Sequence, residues 1–162
     1  MQSEMLRTEL NLQRLYEQLL PSVYRAAYTF LKNRSDSEDA AQEAFLRLAA
    51  SARSFESERH VKAWLIVTVS NICRDMLRRR HRQDMSLEDI TERAAPDSQR
   101  KVLLEALLEL PEKYKTAIFL YYYEGYSVKE IAGAMGRREG TVKSLLHRAR
   151  RLLKQLLEED ER

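Results

Sequence analysis

The sequence predicts an all-α protein made of two small helical bundle domains, joined by a flexible linker, with a helix-turn-helix in the second domain. Apolar residues recur at helical spacing along most of the 162 residues, and no segment alternates convincingly as a strand would. The pattern thins over residues 83–98, where Pro96, Asp97 and Ser98 indicate a break. We therefore place one domain at residues 1–82 and the other at residues 99–162.

The first domain begins with an apolar helix that Pro21 either kinks or restarts. The segment 32–36 is polar and is predicted to be a turn. Ser35 and Glu38 then stand at capping-box spacing, in which a hydroxyl and a carboxylate satisfy free amides at a helix start. A second helix is therefore expected from this point, and its inward-facing residues are Ala40, Ala41, Ala44, Phe45 and Leu48.

A loop near residues 51–60 precedes a long third helix that runs from Val61 to about Arg82. Its spacing identifies candidate core residues, namely Trp64, Leu65, Val69, Ile72 and Met76. A basic block occupies its carboxyl end and consists of Arg74, Arg78, Arg79, Arg80 and Arg82. This long helix thus combines an apolar body with a cationic end.

The second domain is predicted to open with an apolar helix. Pro111 suits the first turn of the next helix, over residues 112–123, and Gly125 ends it. The run AIFLYYY inside that helix is apolar and aromatic enough to resemble a strand. Its proline and glycine flanks favour a core helix about a dozen residues long.

A helix-turn-helix is predicted at the end of the second domain. Ser127 and Glu130 form a capping box that opens a short helix, and Gly136 provides a residue that tolerates positive φ at the turn. A long helix begins near Glu139. A single apolar stripe follows at helical spacing and comprises Val142, Leu145, Leu146, Ala149, Leu152, Leu153, Leu156 and Leu157.

The opposite face of this long helix is cationic. In a helix-turn-helix the second helix enters the major groove, with early residues at base edges and neighbouring cations on phosphates. The residues placed for bases are Lys143, Ser144, His147 and Arg148, and those placed for the DNA backbone are Arg137, Arg138, Thr141 and Arg151. A bare charge run more often forms a solvated face. The capping box, glycine turn and clustered cations together favour DNA binding.

Composition restricts the other classes of function. The net charge of +3 is modest because an acidic tail over residues 158–161 offsets two basic blocks, and two basic surfaces suggest a polyanion contacted twice. Cys73 is the single cysteine, so no internal disulfide forms and no cysteine-rich metal site is supported. The start lacks the apolar core of a signal peptide, and no run is long enough to cross a bilayer. We expect a cytoplasmic protein without a cofactor.

Two groups of motifs resemble those of one known family. The first half contains SDSEDAAQEAFLRL followed by AWLIVTVSNICRDMLRRRHR, and the second half contains LLELPEKYKTAIFLYYYEGYSVKEIAGAMGRREGTVKSLLHRAR. On these residues the chain resembles the small, extracytoplasmic-function sigma factors of the sigma-70 family, along nearly its whole length. The resemblance implies a first domain that binds RNA polymerase core and opens the −10 promoter element, and a second that reads the −35 element.

The resemblance also implies contacts with polymerase. One helix of the family docks on the clamp of the largest polymerase subunit, the second domain meets the flap of the second subunit, and an anti-sigma factor controls activity. The clamp-docking positions correspond here to Asp36, Glu38, Asp39, Gln42, Glu43 and Phe45. Without the resemblance, these carboxylates read as a solvated helix start that the helix dipole stabilises, and both descriptions can hold.

Contacts with the −10 element follow from the same resemblance. Asn71 resembles the family's promoter-reading asparagine, and the phosphates near the opening bubble would be held by Arg78, Arg79 and Arg82. Asp75 shares their helix face, and we favour its pairing with a neighbouring arginine. The loop from Phe55 to His60 resembles the segment that accepts a base turned out of the duplex.

Phe55 is the candidate wall for that base, because an aromatic surface recovers part of the lost stacking energy. The equally open alternative is that Phe55 closes a small core. The chain departs from the family in this region. It has Val61 where a bulky aromatic is frequent and Ala49 where tryptophan is common, so the identity of the accepted base is not specified.

Two other classes of function explain the sequence less completely. An autonomous helix-turn-helix transcriptional regulator explains the second domain but not the basic block beside Asn71 or the acidic helix. In an enzyme, Glu38, Asp39 and Glu43 would serve as metal ligands, but no histidine accompanies them, since the three histidines are scattered along the chain. A fully extended linker over residues 83–98 spans at most roughly 50 Å. That length allows two domains to reach separate promoter elements.

Overall fold

A computed structural model describes the backbone of residues 9–83 and 98–160 and the side chains of residues 11–80 and 101–158. The chain divides into two compact units, Met1–Ile90 and Thr91–Arg162. All regular structure in the described residues is helical, which confirms the all-α prediction. The predicted linker lies almost entirely outside the described residues, and the proposed domain limits remain a prediction.

The first unit is a bundle of three helices that pack against one another, α1 (Glu9–Leu31), α2 (Arg34–Ala50) and α3 (Glu58–Gln83). Its fully buried core includes Leu15, Val23, Ala27, Ala41, Ala44, Leu48, Leu65, Ile66 and Val69. Of the core residues predicted on α3, Trp64 and Met76 are only half-buried. Small alanines on α2 allow α1 and α3 to approach it closely.

Helix α1 continues through Pro21 instead of restarting there. Proline in a helix interior removes one backbone hydrogen bond and interferes with the preceding turn. Pro21 lies on the exposed side of α1, while Leu19 and Val23 on either side of it are buried. The carbonyl that loses its partner can therefore be hydrated, and burial of the opposite face holds the helix together.

The start of α2 differs from the prediction. Asn33, not Ser35, is the N-cap, and its side-chain oxygen accepts a hydrogen bond from the amide of Asp36 at 2.9 Å. The capping box predicted at Ser35 and Glu38 is therefore wrong. Asparagine caps a helix as well as serine does, and Lys32 reverses the chain immediately before it with a φ of 59°. Asn33 is the first residue after the turn that can cap a helix, and α2 begins there.

The second unit contains four α-helices in its described part, α4 (Ser98–Glu109), α5 (Glu112–Ile118), α6 (Val128–Met135) and α7 (Glu139–Asp160). Helices α4, α5 and α6 all pack against α7. Its fully buried side chains include Leu107, Ile118, Phe119, Leu120, Ile131, Val142 and Leu146. The apolar face of α7 is thus the common wall of this core.

The predicted helix over residues 112–123 ends in a wider turn. Phe119–Tyr123 is π-helical, and the amide of Glu124 donates to the carbonyl of Phe119 at 3.0 Å. The rings of Phe119 and Tyr123 are buried and stack with centroids 4.7 Å apart. Gly125 follows with a φ of 78°, which confirms it as the point where the helix stops.

Cys73 lies inside the first unit. Its side chain on α3 is 0% exposed, and its sulfur is 3.9 Å from the carbonyl oxygen of Ala27 on α1. The thiol therefore packs as a small apolar group between two helices. None of the helices in the described ranges is long and apolar enough to cross a membrane.

Candidate nucleic-acid interface

The helix-turn-helix forms as the sequence predicts. Ser127 Oγ accepts a hydrogen bond from the amide of Glu130, and Glu130 Oε1 accepts one from the amide of Ser127, each at 3.1 Å. Gly136 ends α6 in the left-handed region, with a φ of 64° and a ψ of 36°. Helix α7 then begins at Glu139. Capping box, glycine turn and long helix are all confirmed.

Helix α7 separates an apolar face from a polar one. Val142, Leu146, Ala149 and Leu153 are buried, whereas Leu157 at the far end is 38% exposed. All eight residues predicted to contact DNA from this region are exposed, namely Arg137, Arg138, Thr141, Lys143, Ser144, His147, Arg148 and Arg151. None of their side chains pairs with another described residue. The cations are free to meet an external polyanion.

Arg150 lies on the same helix but is engaged within the protein. Its guanidinium carbon is 5.8 Å from the ring centroid of Tyr121 and 5.6 Å from that of Tyr122. Such cation–π contacts stabilise by about 0.5–1 kcal/mol at exposed sites. Arg150 was not among the residues predicted to contact DNA, and the contacts agree with its omission.

The basic end of α3 is organised by neighbouring side chains. Arg78 Nη2 lies 2.5 Å from Asp75 Oδ1, which confirms the predicted pairing of Asp75. Arg74 Nη1 donates to Asn71 Oδ1 at 3.3 Å, and Asn71 and Arg79 are exposed. The side chain of Arg82 lies outside the described residues. The candidate promoter-reading face of α3 is therefore open to solvent.

Sequence reasoning missed a contact between α2 and this end of α3. Arg80 Nη2 pairs with Asp36 Oδ2, and Asn33 Nδ2 donates to the same carboxylate oxygen at 2.8 Å. Asp36 was predicted to face polymerase, but the structure turns it toward α3. No periodicity links residues so far apart in the chain, so the sequence held no signal for the pair.

The outer face of α2 is partly engaged. Glu38 pairs with Arg34 at 2.9 Å and Glu43 with Arg47 at 3.3 Å, all with side chains about half exposed. Asp39 and Gln42 are exposed and bond to no other described side chain. These two residues are the most accessible of the predicted docking set.

Phe45 does not belong to that outer face. It is 9% exposed, and its ring meets the edge of the Tyr16 ring at 4.9 Å. Its place in the docking set is therefore corrected, because position 45 falls on the inward side of α2 with Ala41, Ala44 and Leu48. The side chain holds α2 against α1.

Phe55 is also buried, at 3% exposure. Its ring meets the edges of His60 and Trp64, with centroids 5.3 and 5.7 Å apart. His60 Nδ1 accepts a hydrogen bond from the amide of Glu56 at 3.2 Å. Of the two roles considered, closing a small core is the one this geometry fits, and Phe55 presents no free ring face for a base.

Family comparisons agree with this two-unit arrangement. The model for sigma-70 region 2 matches residues 15–83, and the model for sigma-70 region 4 matches residues 100–153. The chain belongs to the sigma-70 family. The two matches cover most of the chain, and each falls within one of the two compact units.

Relatives of this sigma factor carry consistent names. It is 32% identical to the RNA polymerase sigma factor SigV of Bacillus subtilis, over 85% of this chain and 86% of the relative. It is 34% identical to the ECF RNA polymerase sigma factor SigM of Mycobacterium tuberculosis, over 83% of this chain and 71% of the relative. It spans 60% of SigE from Mycolicibacterium smegmatis, at 34% identity. These similarities place it in the extracytoplasmic-function group.

Solved structures show the same fold. The sigma factor RpoE from Bartonella quintana, in complex with the anti-sigma factor NepR, superposes with a TM-score of 0.71 at 27% identity, covering 90% of this chain and 96% of that one. CnrH, in complex with the cytosolic domain of CnrY, gives a TM-score of 0.68 at 22% identity, covering 94% and 91%. The sigma factor thus has neighbours by fold as well as by sequence.

Proposed function

We propose that this sigma factor binds RNA polymerase core through the first unit and directs it to promoters through both units. The observation that carries the proposal is the presence of regions 2 and 4, in that order, on one chain. A regulator that works alone needs only the second unit. The rival reading as an autonomous helix-turn-helix regulator is therefore not favoured.

Docking on the clamp of the largest polymerase subunit is assigned to the outer face of α2. Asp39 and Gln42 supply its free polar groups. Glu38 and Glu43 add carboxylates whose pairs with Arg34 and Arg47 are about half exposed. Exposed pairs of this kind contribute only about 0–1 kcal/mol, so they can exchange partners at little cost. The second unit meets the flap of the second subunit.

Recognition of the −35 element is assigned to α7. The described helix is about 33 Å long at 1.5 Å per residue, and its free cations occupy the amino-terminal two thirds. In this arrangement Lys143, Ser144, His147 and Arg148 read base edges, and the flanking residues hold phosphates. The buried residues of α7 fix the helix on α4, α5 and α6.

Opening of the −10 element is assigned to the first unit. Asn71 reads the separated strand, and the arginines at the end of α3, Arg78, Arg79 and Arg82, hold its phosphates. The contact between Phe55 and His60 holds the loop that precedes α3 against this helix. The exposed part of that loop is assigned to the displaced base. Phe55 therefore has the role of positioning the loop and does not stack on the base.

Chemistry is left to the polymerase in this proposal. The protein is not an enzyme, requires no cofactor, and acts in the cytoplasm, where core and promoter DNA are found. An anti-sigma factor is a further expected partner, because RpoE of Bartonella quintana was solved bound to one and matches 90% of this chain. Such a partner would compete with polymerase for the surfaces described above.

In-vitro transcription tests the proposal. Purified bacterial core is supplied with a template library carrying randomised −35 and −10 elements, with and without this chain. We expect defined transcripts only when the chain is present, and templates recovered from them provide a promoter. A chain that binds DNA specifically by itself, yet starts no transcript with core, would instead be an autonomous regulator.

A matched variant tests the assignment of α7. Arg148→Ala removes a cation from the free face, whereas Arg150→Ala removes one that lies over Tyr121 and Tyr122. Both variants change the net charge equally. Selective loss of transcription with Arg148→Ala supports base reading by this face, and equal loss with both variants argues for charge alone.

A further inference from the structure

The ion pair between Arg80 and Asp36 is more shielded from water than four other ion pairs of the described residues. Its side chains are 19% and 26% exposed, whereas the side chains of the pairs Arg14–Glu58, Arg34–Glu38, Arg47–Glu43 and Arg78–Asp75 are at least 42% exposed. Charges that are shielded from water attract each other more strongly than charges on the surface. This pair is therefore built into the packing between α2 and α3.

Asn33 fixes the carboxylate of this pair. Its Nδ2 donates to Asp36 Oδ2 at 2.8 Å and to the Leu31 carbonyl at 3.1 Å, while its Oδ1 accepts from the Asp36 amide at 2.9 Å. One residue thus caps α2 and orients the side chain of Asp36. The carboxylate is held in a single direction, toward Arg80.

The end of α3 depends on this contact. After Cys73 no residue of α3 as far as Arg80 is fully buried, so the apolar core holds these turns less firmly than the rest of the helix. Arg74, at the start of these turns, lies over the Phe30 ring of α1 at 5.8 Å, and Arg80, at their end, bonds to Asp36 of α2. Arg80 lies directly beside Arg78 and Arg79, which the proposed function places on promoter phosphates.

We propose that Asp36 and Arg80 form a positioning pair that couples the polymerase-docking helix α2 to the strand-holding end of α3. Asp36 acts on Arg80 and not on polymerase. Because α2 is anchored on the clamp, the pair sets where the basic end of α3 meets the opening bubble. The inference rests on the proposed function and concerns promoter opening, a later step than core binding.

The two residues are not equivalent within the pair. Arg80 Nη1 is buried and bonds to nothing in the described part of the protein, so removal of Asp36 leaves a shielded guanidinium with no partner. Removal of Arg80 leaves the Asp36 carboxylate with Asn33. Loss of one member of a shielded pair is worse than loss of both. Asp36→Asn should therefore be the most damaging change, and Arg80→Gln should partly rescue it.

The test compares Asp36→Asn, Arg80→Gln and the double variant in three assays, namely affinity for core, transcription from the duplex promoter and transcription from the same promoter melted in advance. We expect Asp36→Asn to lower duplex transcription about tenfold, within the range for residues coupled by direct contact. Core affinity and transcription from the melted template should change less than about twofold. Transcription from the duplex promoter should be higher with the double variant than with Asp36→Asn alone.

Arg14→Gln is the control. Arg14 on α1 also pairs with a residue of another helix of the first unit, Glu58 at 2.7 Å, but both side chains are exposed and Arg14 is not assigned to a binding surface. This variant should leave all three assays unchanged. Circular dichroism checks folding, and Arg80→Gln, which leaves Asn33 and Asp36 together, carries the test if Asp36→Asn loses helix.

Two results would overturn the inference. A loss of core affinity equal to the loss of duplex transcription would make Asp36 a polymerase contact. Unchanged duplex transcription in all three variants would make the pair incidental. Failure of the unmodified chain to bind core at all would instead reject the proposed function, so the two failures are distinguishable.

Discussion

The two cationic regions of this sigma factor carry the same charge but hold it differently. At the end of α3, Arg78 is paired with Asp75, Arg80 with Asp36, and Arg74 bonds to Asn71. On α7, the cations of the predicted recognition face have no side-chain partner among the described residues. The end of α3 is thus an arranged surface, meaning one whose cations are held in place by neighbouring side chains. The face of α7 is an unpaired surface, whose cations have no such partners in the described part of the chain.

The difference indicates two kinds of work on DNA. Unpaired cations on a helix release counterions from duplex DNA and give strong, salt-dependent attraction. Cations held by carboxylates lose part of that attraction but keep a fixed direction, which suits a strand whose path must be defined. We therefore expect α7 to dominate the salt dependence of promoter binding and α3 to dominate the opening step.

The largest expected effect concerns Asp39 and Gln42, which are unpaired among the described residues although they belong to the first unit, where cations of α3 are paired. Asp39→Ala with Gln42→Ala should abolish co-purification with polymerase core, because hot-spot residues contribute about 2 kcal/mol or more each. Glu17→Ala with Gln18→Ala, at exposed positions of α1, is the control. Retained core binding in a folded double variant would reject the docking assignment.

The next effect tests the unpaired face of α7. Arg148→Ala should weaken −35 recognition by roughly 1–3 kcal/mol if the side chain contacts a base, and Arg150→Ala should cost much less. Binding to promoter variants, measured by competition with the holoenzyme, provides the comparison. Unchanged selectivity across −35 variants would remove Arg148 from the base-reading set.

A smaller effect concerns the turn and the helix cap that hold α7 in place, and with it the unpaired face of that helix. Gly136→Ala should destabilise the second unit by about 1 kcal/mol, because only the left-handed backbone, and no neighbouring atom, opposes an added Cβ. Ser127→Ala should cost about 1 kcal/mol through the lost cap. Thermal unfolding measures both, and Gly133→Ala, inside α6 with no atom near its Cβ, is the control expected to stabilise slightly.

The smallest effect tests the arranged surface. Asp75→Asn should change unfolding free energy by less than about 1 kcal/mol, because the pair with Arg78 is exposed. Asp75 neutralises part of the Arg78 charge in the unmodified chain, so its loss should strengthen the phosphate contact of Arg78 and make the slope of log affinity against log salt steeper by up to about one. An unchanged slope would mean that Arg78 is already fully engaged with DNA in the presence of Asp75.

The fold was largely predictable because local signals agree with it. The capping box at Ser127 and Glu130, the turn at Gly136 and the apolar stripe of α7 all act within a few residues of one another. The errors occur where two local options are nearly equal. Asn33 and Ser35 are both good caps, and residue preferences do not distinguish an α-helical from a π-helical turn at residues 119–123.

The candidate site was predictable only in part. Exposure of the six predicted positions on α7 follows from helical period, and Arg137 and Arg138 are exposed in the turn before it, so all eight positions of that region were placed correctly on the surface. Phe45 was assigned to the docking set by resemblance, although its helical spacing places it inward with Ala44 and Leu48, where the structure buries it. Phe55 was also assigned by resemblance, and its burial reflects packing against His60 and Trp64 of α3. The contact of Arg80 with Asp36 is a tertiary event, and no spacing rule in a single sequence announces it.

Because Cys73 is buried, its reactivity with thiol reagents can be used to measure opening of the first unit. A thiol reagent cannot reach a sulfur enclosed between α1 and α3, and the sequence has no second cysteine to compete for label. The rate of modification therefore measures how often this bundle opens, while the second unit contributes no signal. If core, promoter DNA or a candidate inhibitor is added to such a labelling reaction, a slower modification rate identifies the partner that stabilises the closed bundle.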